Sequence, residues 1–166
     1  VARPQTVGWM DLATEKKVVL LSYPESCVFQ PHFSPDYRWI TFGVQIKAKP
    51  SQLFIAPFRG PASLSVSEWI TVTDGSTRDF SSRWSPDGNL LYFVSTRDRF
   101  LCLWAQQLDP ATKHPLGTAF EVYASHHSVL SLSNVDVTSL EFCVTGDQIL
   151  FNLGELTGNI WMITSN

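Results

Sequence analysis

A recurring ten-residue segment constrains this chain more than any other feature. Phe33-Ser34-Pro35-Asp36-Tyr37-Arg38-Trp39-Ile40-Thr41-Phe42 aligns without a gap on Trp84-Ser85-Pro86-Asp87-Gly88-Asn89-Leu90-Leu91-Tyr92-Phe93, 51 positions later, with four of ten residues identical. A third, degenerate copy at 142–151 begins 58 positions after the second and keeps a leading aromatic, a turn glycine and a closing Phe. Proline presets φ for the first turn position, aspartate bonds its own backbone, and glycine supplies positive φ, so each copy reads as strand, tight turn, strand. The residues after each turn are aromatic, aliphatic or β-branched, as a second strand requires.

A third strand recurs as Leu53-Phe54-Ile55-Ala56, Leu103-Trp104-Ala105-Gln106 and Ile160-Trp161-Met162-Ile163, with a bulky aromatic in its second place. Fourth strands read at Glu68-Trp69-Ile70-Thr71-Val72-Thr73 and Ala119-Phe120-Glu121-Val122-Tyr123. The chain opens on the same pattern, with Val7-Gly8-Trp9-Met10-Asp11-Leu12 as a third strand, a polar turn at Ala13-Thr14-Glu15-Lys16, and Lys17-Val18-Val19-Leu20-Leu21 as a fourth. No segment sustains apolar spacing at i, i+3, i+4, i+7, so helix plays almost no part. The expectation is an all-β chain of about three four-stranded antiparallel β-propeller blades: a partial blade at 1–22, blades at 23–73 and 74–123, and a blade lacking its fourth strand at 124–166.

Composition narrows the role. Of 166 residues 44% are hydrophobic, enough for one domain with a core, and only 16% are charged, with a net charge of −3; a basic field for nucleic acid is missing. No apolar run reaches the ~18 residues of a membrane span, and the first residues lack a signal-peptide pattern. The start at Val1 instead of Met reads as a processed or excised piece, which leaves a removed targeting signal open. Cys27, Cys102 and Cys143 are widely spaced among apolar or strand-like neighbours and read as buried free thiols; with no Cys-x-x-Cys pair, no structural metal site is expected. No cofactor is expected either.

The chain resembles the TolB-like or WD-type bacterial propeller repeat family. Trp84-Ser85-Pro86-Asp87-Gly88, Ser95-Thr96-Arg97-Asp98-Arg99, Leu103-Trp104 and Leu108-Asp109-Pro110-Ala111-Thr112 carry the resemblance. It is strong over 70–125 and weak over 126–166. Tyr37 departs from it at the turn glycine, and Val144-Thr145-Gly146-Asp147 replaces the third Ser-Pro-Asp-Gly. The resemblance implies rings of six or seven blades, found alone, in envelope-associated scaffolds, beside kinase domains or gating serine peptidases. It leans toward a periplasmic or extracytoplasmic place while leaving the compartment open.

Three blades cannot close such a ring. An end blade exposing ~800 Å² would forgo on the order of 20 kcal/mol of burial at roughly 25 cal/mol per Å², so the expected partners are the remaining blades of a parent propeller, a protein partner, or a second copy completing a six-bladed ring. In the family's geometry, loops 45–50, 96–99 and 154–157 share one face with loops 22–26, 74–78 and 124–128. That face collects Glu25, Lys47, Lys49, Asp74 and Glu155, and the candidate binding residues Arg78, Arg97, Asp98, Arg99, His126 and His127.

Each candidate has a structural alternative. Arg97-Asp98-Arg99 reads as an ion-pair turn that locks the blade, or as forks for a carboxylate or phosphate. Adjacent His126 and His127 diverge if they lie on a strand, and no third metal ligand is evident beside them. Trp9, Trp39, Trp69, Trp84, Trp104 and Trp161 read as blade packing before sugar binding, with Trp69 the best candidate for a surface role. Neither Gly-x-Ser-x-Gly nor His-Glu-x-x-His occurs. The expected function is a non-catalytic propeller segment acting as a protein-interaction or ligand-sensing module of a larger bacterial protein; the alternative is the propeller of an enzyme, glycan-acting or accessory to a serine peptidase.

Overall fold

The structure, a computed structural model, describes residues 5–46, 49–127 and 129–157. Strands β1 (Val7–Met10) and β2 (Lys17–Leu21) form an antiparallel pair. A four-stranded sheet follows, in chain order: β3 (Cys27–Phe33), β4 (Trp39–Gln45), β5 (Ser51–Pro57) and β6 (Ile70–Thr71). A second sheet repeats it with β7 (Asp79–Trp84), β8 (Leu90–Ser95), β9 (Cys102–Leu108) and β10 (Pro115–Tyr123). The last unit contains β11 (Leu130–Ser131), β12 (Phe142–Val144), β13 (Ile149–Phe151) and β14 (Gly154–Glu155), paired β12–β13 and β11–β14. The described residues contain no α-helix.

The hairpins β3–β4 and β7–β8 are built bond for bond alike. In the first turn, Ser34 Oγ donates to Asp36 Oδ1 at 2.6 Å and accepts from Trp39 N–H at 2.9 Å. In the second, Ser85 Oγ donates to Asp87 Oδ1 at 2.5 Å and accepts from Leu90 N–H at 2.8 Å. These hydroxyls hold both carboxyls below the usual aspartate range. Tyr37 takes φ 56° where Gly88 takes 70°, so the tyrosine adopts the left-handed conformation of the glycine it replaces. Its ring lies against Phe33, with centroids 6.0 Å apart.

Side chains alternate along each strand, so one sheet contributes to two apolar layers. Ile40 and Phe42 face back onto Leu20, Leu21 and Val7. Their counterparts Leu91 and Phe93 face back onto Leu53 and Ile55 of the preceding sheet and onto Val72 just beyond it. Ile149 and Phe151 repeat the arrangement against Phe80, Val94 and Leu103. The same repeat positions therefore fill three successive layers.

Four expectations are corrected. The fourth strand placed at 68–73 is reduced to two residues, because Ser65 caps a 3-10 turn at Val66–Glu68. Trp69 then turns inward: its ring meets Phe42 edge-on at 4.6 Å and Phe54 at 5.6 Å, so it is a core residue and not a surface one. The third hairpin is also out of register with the other two. Val144 pairs with Ile149 around the short Gly146-Asp147 turn, so Phe142 opposes Phe151 instead of Ile149. Lastly, only Cys102 of the three cysteines is buried; Cys143 is exposed and Cys27 half-buried, and no disulfide joins them. The strand placed at 160–163, with Trp161, lies outside the described residues.

A Cβ at Gly88 would meet nothing closer than 3.8 Å, so replacement costs only backbone strain. Gly88→Ala should lower the unfolding free energy by about 1 kcal/mol. Tyr37→Gly, which relieves the same strain but loses a ring contact, should change it by no more than about 0.5 kcal/mol; urea denaturation of both variants is the check.

Candidate functional site

The loop after β8 sends its three charged side chains in three directions. Arg97 folds inward: Nη2 lies 3.4 Å from Oδ1 of the fully buried Asp79, and Nε donates to Ser95 Oγ at 3.1 Å. The guanidinium stacks on the rings of Phe93 and Trp104, at 5.1 and 5.0 Å from their centroids. Arg97 thus ties three strands of its own blade together. Arg99, at φ 76°, is exposed. Arg78 is exposed as well, with its guanidinium 5.0 Å over the Phe80 ring.

Asp98 points sideways toward the loop that leaves β10. Its Oδ2 lies 2.7 Å from His126 Nε2, while Phe100 N–H donates to its Oδ1 at 3.2 Å. Burial opposes ionisation of Asp98, but bonds from His126, Cys102 and Phe100 outweigh it and hold the carboxyl below its ordinary range. The Phe100 ring packs against the imidazole with centroids 4.8 Å apart. Glu121 Oε2 stands 4.0 Å from the same His126 nitrogen. Cys102, at the start of β9, receives Ser125 N–H on its Sγ at 3.2 Å, and burial pushes its thiol up to about 11, aided by the carboxylates of Asp98 and Glu121.

The loops after the second and fourth strands of this blade therefore do meet, through Asp98 and His126. His127 is exposed and takes no part in that contact. Of the other residues expected on this face, Asp74 is held by the hydroxyl and backbone N–H of Ser76 in a local turn, Lys49 and Glu155 are exposed, and Lys47 lies outside the described residues.

Sequence reasoning missed a second polar group, on the innermost strands. Arg83 donates from Nη1 to His32 Nε2 at 2.6 Å and to Ser82 O at 2.9 Å, and its guanidinium lies 5.5 Å over the Phe142 ring. Burial, then the neighbouring Arg83 charge, lowers the His32 pKa to about 4, so at neutral pH the ring is uncharged and accepts the guanidinium proton. His32 and Arg83 are counterparts in the repeat, and that spacing was the available signal.

No family model matches the chain, and no curated protein matches it. Solved structures similar to the chain include two that share its fold. The crystal structure of TolB from Acinetobacter baumannii matches with a TM-score of 0.55 and 21% identity over 70% of this chain. A puromycin hydrolase mutant complexed with PGG matches with a TM-score of 0.50 and 18% identity, again over 70%. The matched part is 26% of the TolB chain and 16% of the hydrolase chain. With the sheets described above, these likenesses make the fold that of β-propeller blades.

The arginines of the β8 loop are separable by experiment. Arg97→Ala leaves Asp79 buried without its cation and empties the space between two rings, and should lower stability by about 2 to 4 kcal/mol. Arg99→Ala should change it by less than about 0.5 kcal/mol in the same denaturation assay.

Proposed function

We propose that this chain is a non-catalytic propeller segment, a protein-interaction or ligand-sensing module of a larger TolB-like bacterial protein, whose ring is closed by further blades or by a second copy. The observation that supports this is the fate of one repeat position. Thr41, which faces the following blade, is fully buried and bonds Ser82 at 3.0 Å. Its counterpart Tyr92 is half-buried against the last unit. The next counterpart, Leu150, is 73% exposed. A position that meets the next sheet in the two earlier units thus presents a leucine to solvent in the third. At the opposite end, Met10 and Val19 of the β1–β2 pair are also exposed.

Uncovered apolar faces of this kind are interaction surfaces in soluble proteins. In a closed ring, the exposed Arg78 and Arg99 would remain on the loop face beside His126 and His127, and the two arginines offer planar cationic forks to a carboxylate or phosphate.

Sedimentation velocity over a wide micromolar range tests the reading. The isolated chain should associate in a concentration-dependent way, and Leu150→Glu should weaken that association at least about tenfold. A monomer at every accessible concentration, unaltered by Leu150→Glu and unable to bind an apolar dye, would contradict it.

A further inference from the structure

The geometry points to a divalent transition-metal site of the zinc type formed by Asp98, Cys102, Glu121 and His126. These residues come from three places: the loop after β8, the start of β9, and the end of β10 with the loop leaving it. One donor atom from each lies within 4.8 Å of the others. A bulge between Glu121 and Tyr123 breaks the β9–β10 register at this point, as bulges do where a strand must redirect a side chain.

The donor set selects the class of ion. One imidazole nitrogen, one sulfur and two carboxylates suit zinc, whereas calcium and magnesium require oxygen throughout. Tetrahedral bonds of about 2.0–2.3 Å put zinc ligands about 3.3–3.8 Å apart. Reaching that spacing needs movements of roughly 1 Å, within the range of Glu121 and His126, whose side chains are 37% and 48% exposed. Cys102 is the fixed point, being fully buried at the start of its strand.

Orienting contacts are already in place around the donors, as metal sites require. Phe100 N–H takes Asp98 Oδ1 and leaves Oδ2 directed at the cluster. The Phe100 ring packs against the imidazole at a tilt of 42°. Ser125 N–H points at Cys102 Sγ, where it would stabilise a thiolate. On binding, the thiol gives its proton to solvent as the metal–sulfur bond forms. Three groups able to carry negative charge surround one imidazole, and a divalent cation offsets that crowding.

Cobalt(II) is the direct probe, used on the full chain carrying Cys27→Ser and Cys143→Ser so that any sulfur ligand must be Cys102. Titration should give one cobalt per chain, with a sulfur-to-metal charge-transfer band and tetrahedral visible bands, both lost when zinc displaces cobalt. Cys102→Ser should abolish the charge-transfer band. His126→Gln and Glu121→Gln, at exposed positions that should leave folding intact, should each weaken zinc binding at least about tenfold by calorimetry. Absence of the charge-transfer band, or zinc affinity that neither His126→Gln nor Glu121→Gln alters, would overturn the site.

Discussion

The structure depends on how the innermost strands of the two full blades, β3 and β7, are joined. Both β3 and β7 carry a bulge, with Gln30 at φ 50° and Ser81 at φ 52°, and each bulge interrupts its own ladder. An unpaired buried N–H costs about as much as a lost hydrogen bond. The Gln30 side chain removes that cost across the blade boundary. Its Oε1 accepts Ser81 N–H at 2.9 Å, and its Nε2 donates to Ser81 Oγ at 3.1 Å. Trp84 Nε1 donates to His32 O at 3.1 Å beside it, and Ser51 Oγ donates to Asp79 O at 2.8 Å farther out. Because Gln30 and Ser81 are counterparts, as are His32 and Arg83, the repeat touches itself at its own period. The apolar layers of the two full blades can then stack with the same positions filling each.

That arrangement explains what is rigid and what is offered outward. Arg97 is turned toward Asp79 and the rings of Phe93 and Trp104, while its neighbour Arg99 is left outside. The inward arginine anchors the loop, and from that anchor Asp98 reaches His126 while Arg99 stays exposed. At the two ends of the stack, face positions carry exposed apolar side chains, Leu150 at one end and Met10 and Val19 at the other.

Local chemistry made much of this legible. Ser-Pro-Asp-Gly fixes a turn within four residues, so the first two hairpins and the strands after them could be placed from sequence, and the strand at 17–21 likewise. Features set by distant contacts could not. The cap at Ser65 and the pull of Phe42 on Trp69 shorten β6 although the segment carries good strand residues. The two-residue turn at Gly146-Asp147 shifts the third hairpin while its aromatic pattern still aligns. The three charges of the β8 loop look alike in sequence, and only the positions of Asp79, Trp104 and His126 tell them apart. For His126, the partner Asp98 lies a whole strand pair away in sequence, which is why their contact could not be read from the residues beside it.

The stitch between innermost strands is tested most directly at the Ser81 amide, by hydrogen exchange in the parent and in Gln30→Ala. If Gln30 satisfies that bulge, the substitution should strip protection from the Ser81 N–H and lower the unfolding free energy by about 1 to 3 kcal/mol. A Ser81 amide that exchanges as slowly without the glutamine as with it would contradict the coupling of one blade to the next.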